Sequence, residues 1–349
     1  MSNDLEVAAL HPGAPADVSL AILGAMAFVA EAGQAPARSE DIEMIRGAWR
    51  FIFGKTSTLD LAALARVEPK LLASFVVSAS LREDAIKFLT VMTCIDGVPE
   101  AAKVDAVRRY AAALNIEASY LDLLGLASNG HMQDALAEMT RLNMDSITNG
   151  QWTGGDANAW LLPYAGPGAD PALAARFHAL SKYPSNSFGR AFHHQFTSNG
   201  YDFPGEAKAL NAGFSVPHDS AHVISGYDTT PRGEILVSVF TSTMHKRLPM
   251  GAHVLPVIFI WHLHIQINPI AGKAKTPMDP ENFWCAWAAG ADSRADTFAS
   301  GWDFWAYAER SLAEVRKIFG IPAAGLEAWA DAHGFRPTTE PTRTPVSES

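Results

Sequence analysis

The chain has 349 residues, of which 48% are hydrophobic and 18% charged, and its formal net charge at neutral pH is −10. With a mean hydropathy of +0.02 it is too apolar for wholesale disorder and long enough to bury one large core or two ordinary ones, two being the expectation. The 27 basic residues form no run of five or more, so the electrostatic footprint of nucleic-acid binding is missing and no nucleic-acid partner is expected.

Only Cys94 and Cys285 are present, which excludes a disulfide scaffold and suggests a reducing compartment. The opening MSNDLEVAALHPGAPAD is acidic and lacks the basic and apolar regions of a secretory signal, so a cytoplasmic location is expected. The greasiest stretch, Val254 to Ile267, contains Pro256, His262 and His264 and falls short of the roughly 20 apolar residues of a spanning helix. Such a segment can lie on a membrane without crossing it.

From about 18 to 143, apolar residues recur at three and four spacings between helix start and stop signals, which predicts an all-α bundle. Ser80 and Glu83 have the spacing of a capping box for a run ending near Gly97. Pro99 then suits a first helical turn, and Val104, Val107, Tyr110, Ala111 and Leu114 form one apolar stripe. Residues 144–171 are rich in Gly and Pro and are expected to connect this domain to a second one over 172–325. Within the connector, Trp152, Trp160 and Tyr164 suggest packing against a surface. The segment 337–349 has no apolar periodicity and is expected to be disordered.

Nine of the twelve histidines fall between His178 and His264, which directs attention to the second half. In HDSAHVISGYDTTPRGEI, His218 and His222 are four residues apart, so a helix projects both imidazoles from one face. Gly226 is a plausible stop for that helix, and Thr230 with Pro231 forms an N-cap and first position for the next. Antiparallel packing of the two helices would bring Glu234 beside both histidines. Two nitrogens and a carboxylate oxygen make a familiar zinc set, and Asp219 is either a fourth ligand or the group that orients a histidine. Two hydrogen-bonded histidines at a helix surface remain the structural alternative.

The other histidines suit plainer roles. His193 and His194 are adjacent and face different ways on a helix, while His245, His253, His262 and His264 sit among large apolar residues as satisfied polar tips. GxSxG, GxxxxGK and GxGxxG motifs are missing from the sequence, which removes the usual routes to a serine hydrolase, a P-loop NTPase or a dinucleotide enzyme. After the hairpin, the apolar run LPMGAHVLPVIFIWHLHIQINPIAG is either core or the wall of a lipid-sized pocket. Trp261, Trp284, Trp287, Trp302 and Trp305 follow as candidates for core or groove.

Three stretches, YPSNSFGRAFHHQFTSNGYD, HDSAHVISGYDTTPRGEI and GWDFWAYAERSLAEVRKIFGI, resemble the fourth member of the Coq family of ubiquinone (coenzyme Q) biosynthesis over about residues 172–325. That family's signature, HD, two residues, H, eleven residues, E, is matched by His218, Asp219, His222 and Glu234. The resemblance implies an all-α fold, a divalent metal usually taken as zinc, and a cavity for a polyprenylated quinone precursor. It also implies peripheral membrane association, other quinone-biosynthesis proteins as partners, and oxidative decarboxylation that replaces a ring carboxylate by a hydroxyl. The front half is similar to the tellurite-resistance TerB family through LTVMTCIDGVPEAAKVDAVRRYAAALNI, with Asp96 and Glu100 as an acidic pair and Glu31 and Gly33 kept from the first half of that pattern. A helix stop followed by an acidic first turn accounts for Asp96, Gly97 and Glu100 equally simply.

The leading expectation is a metal-dependent enzyme acting on a prenylated aromatic acid. The alternatives are a non-catalytic prenyl-lipid carrier or scaffold, and a metal-dependent hydrolase. The last is disfavoured because the HExxH glutamate base is missing from the sequence.

Overall fold

A computed structural model describes residues 11–33, 36–95, 99–161, 169–262, 264 and 276–332. The fold is all-α, with 17 α-helices and no strand among the described residues. The first half carries α1 (Ala16–Ala30), α2 (Ser39–Gly47), α3 (Pro69–Phe75), α4 (Ala79–Val91), α5 (Ala101–Leu114), α6 (Tyr120–Ser128) and α7 (Met132–Ile147). The short α8 (Ala157–Leu161) and α9 (Pro171–His178) lead to α10 (Phe188–Asn199), α11 (Ala212–Ser225) and α12 (Pro231–His245). Next comes α13 (Leu255–Val257), set between π-helical turns at Pro249–Val254 and Ile258–His262. The chain closes with α14 (Pro280–Asp292), α15 (Phe304–Tyr307), α16 (Leu312–Phe319) and α17 (Leu326–Ala332).

Two local expectations are corrected. Helix α4 starts at Ala79 with Ser78 at its cap, so Ser80 lies inside the first turn, where its hydroxyl meets that of Ser78 at 3.0 Å and forms no box with Glu83. Pro99 stands before the cap residue Glu100 and is not a first-turn residue of α5. Asp96, Gly97, Tyr164 and the expected tail lie outside the described residues. Glu31 is held by Arg66, whose Nε reaches it at 3.0 Å.

The buried residues of both halves form one continuous apolar cluster. Within it α12 crosses α14 at Gly290, where an added Cβ would stand 2.2 Å from the Phe240 carbonyl; only glycine admits so close an approach. The opposite face of α14 packs on α2. Trp284, fully buried, donates its Nε1–H to the Met44 carbonyl at 2.8 Å and meets Phe88 edge-on at 5.3 Å. A second seam joins α7 to the Pro249–Val254 turn, through Asn143 Nδ2 to the Ala252 carbonyl (2.8 Å) and Ser146 Oγ to His253 Nε2 (2.8 Å). Segments far apart in sequence thus enclose one interior, which satisfies the apolar excess of the composition.

Candidate metal centre and adjoining cavity

The helical hairpin forms for local reasons. Gly226 ends α11 in the left-handed region at φ 84°, and its N–H returns to the His222 carbonyl at 2.8 Å. Asp228 Oδ1 accepts from the Thr230 N–H (3.0 Å) and hydroxyl (2.6 Å), and Thr230 Oγ1 in turn caps Gly233 N–H at 3.2 Å. Pro231 occupies the first turn of α12. A Cβ at Gly233 would fall 2.1 Å from the Asp228 carbonyl, so glycine is required for the turn to fold back tightly ahead of Glu234. Each residue between Gly226 and Glu234 that shapes the turn therefore helps aim that carboxylate.

The result brings His218, His222 and Glu234 together, with their ligand atoms all within 4.8 Å of one another. His222 Nε2 lies 3.4 Å from Glu234 Oε1, and His218 Nε2 lies 3.6 Å from Glu234 Oε2. Two zinc bonds of about 2.0–2.1 Å meeting at a tetrahedral angle would separate their ligand atoms by roughly 3.4 Å, so both spacings suit one cation. His222 Nδ1 faces the Tyr227 carbonyl at 3.1 Å; donation there leaves the lone pair on Nε2, a buried atom with no hydrogen-bond partner. An orphaned imidazole nitrogen beside a carboxylate at more than hydrogen-bonding distance is the arrangement a bound cation satisfies.

The electrostatics agree. Burial opposes protonation of His218, but the Asp219 and Glu234 carboxylates outweigh it and push its pKa up to about 10. Burial likewise opposes ionisation of Glu234, yet the two imidazoles beside it, His222 before His218, hold its carboxyl below the usual carboxylate range. The pocket is built for an anionic oxygen facing positive charge. Asp219 stands apart from this group: Oδ1 lies 3.8 Å from His218 Nδ1 and accepts from Gln195 Nε2 at 3.0 Å. That places it behind His218, on the side remote from Glu234's contact. Phe214 stacks on the His218 ring at 4.9 Å and limits its rotation.

The three residues stand at a cavity of about 660 Å³, within the range of small-molecule sites, to which His218, Asp219 and Glu234 contribute directly. Its walls come from both halves of the sequence: Met139, Asn143 and Ile147 of α7 face Val257, Ile260 and Trp261 of the apolar run. The run up to His262, beyond which only His264 is described, is therefore core and cavity wall at once, with Val254, Leu255, Ile258 and Phe259 buried and Ile260 and Trp261 half-exposed at the rim. Of the five tryptophans considered from sequence, Trp261 alone belongs to this wall. Trp284 and Trp287 are fully buried, Trp302 stacks on Tyr307, and Trp305 lies under Arg176.

The plainer histidines find partners away from the metal candidates. His245 meets Asp296 (2.8 Å) and the Ser146 carbonyl (3.0 Å); His262 meets the Ile95 and Thr276 carbonyls (2.9 and 3.2 Å). His193 stacks on Phe203 at 5.1 Å. His253, by contrast, also lines the cavity, although the sequence suggested only a satisfied polar tip; Ser215 and Thr241 line it too, and sequence reasoning did not single them out. Thr241 had a usable signal, lying seven residues after Glu234 and hence on the same helical face. The α7 residues had none, because their periodicity is that of any buried helix.

Fold and site together define an all-α protein with a two-histidine, one-glutamate candidate metal centre set in the wall of a cavity of mixed polarity. Compared with protein-family profiles, with curated proteins and with solved structures, the chain gives no match. No helix among the described residues is long and apolar enough to cross a membrane.

Proposed function

We propose that the chain is a metal-dependent protein of ubiquinone-type biosynthesis that binds a polyprenylated aromatic acid and carries out or supports its oxidative decarboxylation. The observation that carries the reading is the unpartnered Nε2 of His222, held toward Glu234 beside His218 at the edge of a cavity large enough for an aromatic ring. His218, His222 and Glu234 would hold a divalent cation, with zinc the natural occupant of two imidazoles and one carboxylate. When bound, such a cation supplies Lewis acidity to a ring carboxylate or hydroxyl.

The protein's own groups orient and shelter the ligand. Asp219 and Phe214 fix the His218 ring, the Tyr227 carbonyl fixes the tautomer of His222, and Met139 and Ile147 of α7 give the cavity an apolar wall. Pro256, Ile260 and Trp261 form a half-exposed apolar rim over which an isoprenoid chain can leave toward a lipid surface. Exchange of a ring carboxylate for a hydroxyl releases carbon dioxide and is a two-electron oxidation; with water supplying the hydroxyl oxygen and dioxygen accepting the two electrons and two protons, hydrogen peroxide is the co-product.

Native mass spectrometry of the purified protein, reading metal and co-purified lipid together, tests the binding claim. Metal-loaded protein incubated aerobically with a carboxyl-labelled prenylated benzoate tests the chemistry. Labelled carbon dioxide with a hydroxylated product is expected. Stoichiometric binding with the precursor unchanged would replace the catalytic reading by that of a non-catalytic carrier or scaffold for other quinone-biosynthesis proteins.

A further inference from the structure

The inner part of the cavity holds a polar feature that a hydrocarbon chain does not account for. Glu234, Ser238 and Thr241 are residues i, i+4 and i+7 of α12 and all line the cavity, so they form a polar stripe running inward from the candidate metal centre. At 1.5 Å per residue, Thr241 lies about 10 Å along the helix axis from Glu234.

Thr241 is only 4% exposed, and its hydroxyl has no hydrogen-bond partner. Helical Ser and Thr residues ordinarily bond back to a carbonyl one turn earlier, and its neighbours do so: Ser242 Oγ reaches the Val239 carbonyl at 2.7 Å, and Thr243 Oγ1 lies 3.4 Å from that same carbonyl while also reaching the Trp287 carbonyl of α14 at 2.9 Å. Ser215, 2% exposed and also on the cavity wall, is a second hydroxyl without a partner. A buried hydroxyl left unpaired loses its bonds to water without replacement, so two of them in one cavity wall imply a ligand able to pair with them.

The surroundings specify that ligand's charge. His253 also lines the cavity, and burial together with the neighbouring His245 lowers its pKa to about 3, so it is neutral at physiological pH. Asn143 projects from α7, its Nδ2 bound to the Ala252 carbonyl. The cavity-lining Lys208 belongs to the exposed surface. The inner end therefore suits a neutral oxygen, whereas the metal end suits an anion.

We propose that Thr241 is a specificity-determining residue of this site, its hydroxyl pairing with a neutral oxygen substituent borne by the ligand's ring opposite the metal-bound group. The ligand is then a ring acid polar at both ends, with any aliphatic chain leaving sideways over Pro256, Ile260 and Trp261. One metal–oxygen bond of about 2 Å, a six-membered ring with substituents at opposite positions, and one hydrogen bond of about 2.8 Å together match the length of the stripe. This inference rests on the metal-site reading above and adds to it the residue that selects the ring.

The test uses the zinc-loaded full chain and two probes differing by one isosteric group, 3-hexyl-4-hydroxybenzoate and 3-hexyl-4-methylbenzoate, with affinities measured by titration calorimetry. The hydroxylated probe is expected to bind about tenfold more tightly, as one hydrogen bond to an otherwise unpaired hydroxyl provides. Thr241→Val keeps the volume and should abolish that preference, whereas Thr241→Ser should retain it. Equal affinities in the native protein, or a preference that survives Thr241→Val, overturn the assignment of Thr241 while leaving the metal site standing. If neither probe binds, or both bind as well to metal-free His222→Ala protein, the metal-site reading fails and this inference with it.

Discussion

Replacing His222 by Ala is the most direct probe of the candidate centre. The side chain is fully buried, with Nδ1 at 3.1 Å from the Tyr227 carbonyl and Nε2 at 3.4 Å from Glu234. If a structural-type zinc site is worth about 10–16 kcal/mol shared over four ligands, one imidazole contributes roughly 2.5–4 kcal/mol, so affinity should fall by about 100- to 1,000-fold. The folding cost is smaller, about 1–2 kcal/mol for one lost hydrogen bond and a small void, and leaves the chain folded. Competition against a chromogenic chelator gives the affinity, and thermal melts with and without chelator separate it from stability. Metal at 100 times its Kd should stabilise the native protein by about 2.7 kcal/mol and leave the variant almost unmoved. His193→Ala, whose ring stacks on Phe203 outside the cluster, is the control. Equal loss of metal in both variants, or a His222→Ala affinity within threefold of the native value, would refute the reasoning.

Four further outcomes are expected. Asp219→Asn should weaken metal binding by about 10–100-fold through misorientation of His218, less than His222→Ala does; equal losses would place Asp219 among the ligands. Because His218 must shed its proton to ligate and its pKa lies near 10, metal binding at pH 7.5 should release about one proton, with affinity rising about tenfold per pH unit below that pKa; buffer-dependent calorimetric enthalpies measure this. For His253 the folded pKa of about 3 lies below the unfolded value of about 6.5, so the unfolded chain alone binds this proton between those limits and stability falls on acidification, by at most about 1.4 kcal/mol per pH unit. Urea midpoints at pH 5 and 7 should differ less in His253→Asn than in the native protein, both in chelator. Trp284→Ala should cost about 3–5 kcal/mol and, because both halves share one interior, lower the midpoint of a single cooperative calorimetric transition; two separate transitions of which only one is shifted would count against the shared interior.

The candidate centre was legible in the sequence because nearly all its information is local. An i, i+4 histidine pair, a glycine stop, a Thr-Pro start and a glutamate one turn later dictate a hairpin irrespective of what surrounds it, and the all-α class follows from periodicity in the same way. Local rules faltered where two residues competed for one role: Ser78 and Ser80 both precede α4, and the backbone chose Ser78. The direction of Asp219 needed more than spacing, since only the position of Gln195 on α10 shows which way its carboxylate turns.

What the tertiary structure alone decided are the contacts between residues far apart along the chain. The pairing of Trp284 with Met44 and Phe88, the α7 wall of the cavity, and the unpaired hydroxyl of Thr241 all depend on which surfaces meet. A stripe of apolar residues specifies that a face is buried but not against what, because the hydrophobic effect has no direction. The sequence therefore determined the donors of the centre, whereas the space those donors serve was set by close packing between elements some hundred residues apart.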